Sequence, residues 1–260
     1  MPFYTLIQYF PSSMSGHNTT RYILITPDQA DADILFRGYQ ESPNLGTFSL
    51  AGVSRSQPDI WVVRGSNTGG ANFENSMGWV YDTKTFPTAL SNENLSMKPL
   101  LQYFVSRTTA VSSCPLPPQP LVNAVNYGTF YIRNKQFPDQ YWYVQSASGK
   151  KALTVSKDKC SKFRIRIPGK EDKSLVLVNY EEVVITYFDE DVDRTERPLY
   201  FNAISGHSSW LGPDTTAAAA KFKLGALRKG GFSNIHPPTS PSYVRYDGDE
   251  NAGGDIWELV

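Results

Sequence analysis

Three groups of aromatic and polar residues in the second half of the chain have the chemistry a sugar site requires. The first is Asn134, Asp139, Gln140, Tyr141 and Trp142. The second is Tyr200, Asn202, His207, Trp210 and Asp214. The third is Tyr243, Tyr246, Asp247, Asp249 and Asn251. A sugar needs an aromatic face for its apolar side and fixed amide or carboxylate groups for its hydroxyls. Each group supplies both. Two considerations pull the other way. Trp142 and Tyr143 are adjacent, so on a strand one of them must face the core. Asp and Asn in a turn serve turn geometry by default.

A second constellation has the spacing of a calcium loop. Asp247, Asp249, Asn251, Asp255 and Glu258 fall at its first, third, fifth, ninth and twelfth places. Asp247, Asp249, Asn251 and Asp255 are the metal candidates, and calcium is the one cofactor this spacing admits. Ala252 stands where the sharp turn wants glycine, and Gly254 where an apolar residue belongs. An acidic hairpin is the preferred reading, with no cofactor. The acidic run Asp189, Glu190, Asp191, Asp193 and Glu196 follows an apolar strand and reads as a solvated loop that discourages edge pairing.

Signs of catalysis are missing from the sequence. His17, His207 and His236 share no triad or metal spacing. No GxSxG, HExxH or GxxxxGK[ST] motif occurs. Cys160 lies between Lys159 and Lys162, which could lower its pKa, but no histidine partner is assigned to it and it reads as a structural thiol. A carboxylate pair for glycoside hydrolysis would come from different loops of a β protein and cannot be located. The expectation is a protein that binds and does not catalyse, with a hydrolase left as the third alternative, resting on the unassigned N-terminal domain.

Composition narrows the partners. The 25 basic and 25 acidic residues balance, which argues against a general affinity for nucleic acid or anionic lipid. Two cysteines, Cys114 and Cys160, are too few for a disulfide framework or a zinc cluster. The opening MPFYTLIQYF lacks a basic region and a long apolar core, so it is not read as a secretory signal. No apolar run approaches the roughly 20 residues of a membrane helix. A cytoplasmic location is expected, in which the sequons at Asn18 and Asn94 carry no meaning.

The elements that must position these residues read as short strands. Runs at 3–9, 21–26, 34–36, 47–53, 60–63, 79–81 and 100–105 are separated by polar or Gly/Pro-rich breaks, the longest at 65–78. No sustained 3.6-residue period is evident, so little helix is expected. Four prolines between 115 and 120 mark a Pro-rich linker, residues 108–121. It separates an all-β N-terminal domain, residues 1–107, from a C-terminal domain, residues 122–260.

The C-terminal domain divides into three look-alike units. The first contains the runs Thr129–Ile132, Tyr141–Val144, Ala152–Val155 and Phe163–Ile167, the last written KFRIRI. The second opens at Ser174 (SLVLVN), continues through 183–188, 199–202 and 209–211, and closes in KFKLGAL at 221–227. The third opens in GGFSNI at 230, continues through 243–246 and closes in DIWELV at 255–260. Each closing run carries a bulky aromatic, Phe163, Phe222 or Trp257, with Ile165, Leu224 or Leu259 two residues on. An echo, Pro58-Asp59-Ile60-Trp61, lies in the N-terminal half.

Three four-strand units, the first with the pattern FYIRN, YWYV, FxIxI, resemble a β-trefoil, and specifically the fungal trefoils: the ricin-B-type lectins and the mycocypin-type protease inhibitors. The resemblance covers residues 126–260 well and residues 1–107 only loosely: at most two units are found there, which leaves a degenerate trefoil or another small β fold. The Gln-x-Trp signature of ricin-B repeats is absent from all three closing strands, which puts the usual galactose site in doubt. The resemblance implies a carbohydrate-binding lectin, serving defence by multivalent capture of glycans or glycoproteins, with oligomers raising avidity. The alternative it implies is a protease inhibitor that presents one rigid loop, for which Phe137–Gln140 and Pro237–Ser242 are the candidates.

Overall fold

The structure is a computed structural model that describes residues 2–10, 20–41, 44–45, 48–65, 100–104, 118–147, 150–189, 195–204, 208–212, 219–235, 242–248 and 250–260. The chain forms two compact units, Met1–Asn123 and Ala124–Val260. Strands dominate both.

In the first unit, strands β1 (Phe3–Phe10), β2 (Thr20–Thr26), β3 (Asn44–Leu45), β4 (Phe48–Gln57), β5 (Ile60–Gly65) and β6 (Leu100–Phe104) form one sheet in the order β3-β4-β5-β1-β2-β6. The β1–β5 pair is parallel and the other pairs are antiparallel. Burial alternates with period two: Phe3, Thr5 and Ile7 on β1, Tyr22, Leu24 and Thr26 on β2, and Trp61 and Val63 on β5.

Helix α1 (Gln29–Glu41) packs against this sheet, with the Phe36 ring edge-on to Trp61 at 5.1 Å. The run 34–36, expected as a strand, is therefore helical. The helix is capped by Asp28, whose Oδ1 accepts the Asp31 N–H at 3.0 Å. Every residue from Ala32 to Tyr39 is buried, so the middle of the helix is enclosed on all sides, with the apolar Ala32, Leu35, Phe36 and Tyr39 on one stripe. Asp33 and Arg55, both almost fully buried, form an ion pair of 2.5 Å that ties α1 to β4. Of the two readings open for residues 1–107, the described residues form another small β-rich fold, a helix-backed sheet with one parallel pair.

The end of the Pro-rich stretch also belongs to this unit. The Gln119 side chain accepts from Tyr4 N–H at 2.9 Å and donates to Tyr4 C=O at 2.7 Å, so one amide imitates a neighbouring strand. Gln29 Nε2 donates to Val122 C=O at 2.6 Å.

The second unit contains β7 (Gly128–Phe130), β8 (Ile132–Asn134), β9 (Tyr141–Ala147), β10 (Lys150–Ser156), β11 (Phe163–Arg166), β12 (Glu182–Asp189), β13 (Thr195–Pro198), β14 (Tyr200–Ile204), β15 (Ser208–Gly212), β16 (Phe222–Lys223), helix α2 (Leu224–Arg228), β17 (Phe232–Ile235), β18 (Tyr243–Tyr246) and β19 (Trp257–Leu259). One sheet runs β14-β15-β18-β10-β9-β8-β19, with β17 also on β18. Another runs β13-β12-β11-β7, with β16 also on β12.

Three antiparallel contacts join an earlier and a later stretch in each third of the unit, the last of them an isolated bridge two residues before Trp257. Phe130 of β7 lies opposite Phe163 of β11, Val183 of β12 opposite Phe222 of β16, and Phe232 of β17 opposite Asp255 just before β19. Phe163, Phe222 and Trp257, with Ile165, Leu224 and Leu259 after them, are all buried. Trp142 joins them from β9: its ring lies edge-on to Phe163, Phe232 and Trp257, with centroids 5.9, 5.3 and 5.6 Å away. Such edge-to-face clusters add to the burial of large apolar area.

Two expected boundaries shift. In the stretch SLVLVN, Val176, Leu177, Val178 and Asn179 are buried but the stretch makes only an isolated bridge, Val176 to Val125; the paired strand of that unit is β12. The run KFKLGAL keeps only Phe222–Lys223 as strand and then turns into α2. The Leu224 and Gly225 N–H groups are drawn to Glu181 O at 3.0 Å and Asn179 O at 2.7 Å. A side chain at 225 would meet the Glu250 carboxylate and the Asn179 carbonyl, so only glycine fits this approach.

Several expectations fall outside the described residues: the loop 65–78 past Gly65, the strand 79–81, residues 108–117 of the linker, His17, Asn18, Asn94, Cys114, Glu190, Asp191, Asp193, His207, Asp214, His236, Pro237–Pro241 and Asp249.

Candidate functional site: two braced turns beside strand β9

Strand β8 ends at Asn134, and the chain turns through six residues to reach β9. The Asn134 side chain is 1% exposed. Its Oδ1 accepts the backbone N–H of Gln136 at 2.9 Å and of Phe137 at 3.0 Å. That is an Asx turn, in which the side chain replaces a backbone acceptor. Asn134 N–H donates to Gln140 O, and Gln140 N–H to Phe137 O, each at 2.9 Å. Lys135 N–H donates to Ile256 O at 2.8 Å. The turn is thus closed on itself and anchored to the segment before β19. Phe137 stands 52% exposed on it, followed by Pro138.

A second turn, 157–162, lies beside the first. Lys157 Nζ and Asp139 Oδ2 are 2.9 Å apart, and both side chains are well exposed. The Lys157 ammonium holds the Asp139 carboxyl below its ordinary value. Ser156 Oγ accepts the N–H groups of Asp158 and Lys159 at 3.3 and 3.2 Å. Ser161 fastens the turn to β9: its N–H donates to Trp142 O, and its Oγ accepts from Val144 N–H, each at 3.0 Å. Lys159 Nζ sits 5.5 Å from the Tyr143 ring and Lys162 Nζ 5.8 Å from the Tyr131 ring. Cys160, on the same turn, is an exposed free thiol.

The first group of sugar candidates is therefore split. Asp139 is in the site, and Gln140 closes its first turn. Tyr141 is half-buried, opposite Arg133. Trp142 has no exposed surface and cannot stack on a sugar; the alternation on β9 sends it inward and Tyr143 outward. Asn134 is spent inward on bracing the turn.

The second and third groups lie on other strands. Tyr200 is buried, at 8% exposure. Asn202 pairs with Trp210 between β14 and β15, and Trp210 with Arg245 of β18. Tyr246 packs against Phe222 and Phe232 at 5.4 and 5.0 Å, so its ring belongs to the aromatic core. Tyr243 is half-buried on the same strand.

The calcium candidates are directed to separate partners. Asp247 pairs with Arg245, Asp255 Oδ2 accepts Asn234 N–H at 2.7 Å, and Glu258 pairs with Arg133 at 2.6 Å. Asn251 adopts a left-handed backbone, φ 67°, and its N–H donates to Lys229 O. Each has the role of a turn or strand residue. Glu196 of the acidic run pairs with Arg164.

Sequence reasoning singled out the 137–140 turn but missed the groups around it: Tyr143, Lys157, Lys159 and Lys162. The available signal was the alternation on β9, which sends Tyr143 outward once Trp142 is placed in the core.

A scan against protein-family models finds no match, and a search of curated proteins finds no similar sequence. The functional argument rests on the site itself. Among the described residues, no helix is long and apolar enough to cross a membrane.

Proposed function

We propose that the second unit is a β-trefoil binding module that docks its 135–140 turn into a cleft on another protein, in the manner of a trefoil protease inhibitor. The observation that carries this reading is the contrast between Asn134 and Phe137. A fully buried side chain holds the backbone of a turn whose tip is an exposed aromatic. A loop held before binding loses less conformational entropy when it docks, which favours affinity. An exposed aromatic at the tip has the character of an interface anchor. The trefoil reading is supported by one early-to-late antiparallel contact in each third and by the shared burial of Phe163, Phe222 and Trp257. Closing three such units around one core removes exposed sheet edges and frees the turns for binding. Inhibition assays of the intact chain against cysteine and serine proteases test the proposal; absence of inhibition in both classes removes it.

The carbohydrate reading keeps one specific observation in its favour. Phe137, Gln136 and an Asp139 carboxylate held ionised by Lys157 share one turn. That joins an apolar face to fixed polar groups, the pairing a sugar needs. It would bind through this turn, with Trp142 and Tyr200 left out. A glycan array on the folded chain decides it, and silence across the array rejects it.

A further inference from the structure

We infer that the 157–162 turn, with Tyr131 and Tyr143 behind it, is a binding face for a sulfated polysaccharide. The starting point is an uneven distribution of charge. The chain as a whole has a formal net charge of zero, yet residues 150–173 hold nine Lys and Arg against three Asp and Glu. Part of this excess is neutralised within the unit. Arg164 pairs with Glu196, and Lys170 with Glu181 at 3.3 Å. Lys157 is partnered by Asp139, and the exposed Asp158 offsets one further charge of the turn.

Lys159 and Lys162 differ. Both are exposed, and among the described residues neither has a carboxylate partner. Each ammonium instead lies over a tyrosine ring. The ring quadrupole orients the cation without cancelling its charge. Arg133 of β8 lies opposite Tyr141 of β9; Tyr131, just before β8, and Tyr143, on β9, are each two residues away from that pair, which places both rings on one face. Ser156 and Ser161 fix the turn that carries the lysines. The outcome is a short row of held cations on an outward face.

The chemistry selects the ligand. Lysine presents a compact point charge, suited to a sulfate approached from any side. The ring faces are already occupied by the ammoniums, so bases cannot stack on them, which disfavours single-stranded nucleic acid. A polysaccharide with sulfates at its periphery needs only the cations and the tyrosine hydroxyls. This inference does not depend on the inhibitor reading.

The test is affinity of the intact chain for dextran sulfate at low salt, with unsulfated dextran of equal length and duplex DNA of matched charge as comparators. The expected result is binding to dextran sulfate alone or foremost, with the logarithm of affinity falling against the logarithm of salt with a slope of about −2, one each for Lys159 and Lys162. The triple variant Lys157→Gln, Lys159→Gln, Lys162→Gln should lose affinity by roughly tenfold or more. Lys221→Gln, in a surface pair away from this turn, should not. Unaltered tryptophan fluorescence shows that the triple variant is folded. No binding to dextran sulfate, equal binding to unsulfated dextran, tighter binding to the duplex, or undiminished binding by a folded triple variant would each overturn the inference.

Discussion

The carboxamide oxygen of Asn134 accepts the backbone N–H of Phe137 at 3.0 Å, so among the described residues of the second unit one of the most buried polar side chains fixes the most exposed large apolar one. The same oxygen also takes the Gln136 N–H. Removing it leaves two backbone donors without their acceptor. Asn134→Ala should cost about 1–2 kcal/mol in urea unfolding. Amide hydrogen exchange at Gln136 and Phe137 should quicken with it. Asn134→Asp keeps an acceptor and should keep that protection. Unchanged exchange in the alanine variant would show that the turn is held by something else.

Trp142 belongs to the core and not to a ligand. Its ring meets Phe163, Phe232 and Trp257. Trp142→Ala should destabilise by about 3–5 kcal/mol, as large aromatic truncations in cores do. Trp142→Phe should cost less. Chemical denaturation measures both. A loss of binding with stability unchanged would return Trp142 to the surface.

Much of this was legible in the sequence, and the failures have physical causes. The period-two alternation in KFRIRI and YWYV located β11 and β9, because one face of each is buried and the other is not. The same alternation required that one of Trp142 and Tyr143 be core, but could not choose between them; only the packing against Phe232 and Trp257 does. Helix α1 was missed because Ile34, Leu35 and Phe36 form a short continuous apolar run. The helical period lies in Ala32, Leu35, Phe36 and Tyr39, and the Asp28 cap announces it. The strand ending KFKLGAL was overextended because its conversion to α2 depends on distant carbonyls of Asn179 and Glu181. The Asp139–Lys157 contact joins two turns across a hairpin, which spacing alone does not register.

The Asp33–Arg55 pair sets a further expectation. Both side chains are nearly inaccessible. Losing one partner strands the other charge. Arg55→Ala should cost about 3–5 kcal/mol. The double change Asp33→Leu, Arg55→Met should recover most of that loss, since apolar groups of similar size can replace a buried pair. Additive losses in the double variant, read from denaturation midpoints, would contradict a pairwise contact.

Asp139 gives the pH dependence. Lys157 lowers its folded-state pKa, so the contact favours folding while the carboxylate is ionised. That contribution is fully present above the ordinary aspartate value and is lost as pH falls through the depressed one. Carbon NMR of the Asp139 carboxyl should show titration below the usual aspartate range of about 3.9. Lys157→Gln should move it back up. A titration that ignores Lys157→Gln would remove the contact from solution.

The central claim is that the turn tip at Phe137 enters a cleft on a protease. Its most direct test is the inhibition constant of the wild-type chain beside Phe137→Ala against cysteine and serine proteases. Phe137 contributes little to the core, so the variant should unfold within about 0.5 kcal/mol of wild type. The account requires inhibition by wild type and a rise in the inhibition constant of roughly thirtyfold or more in the variant, equivalent to about 2 kcal/mol of binding. Equal inhibition by the two proteins, or none by either, would contradict it.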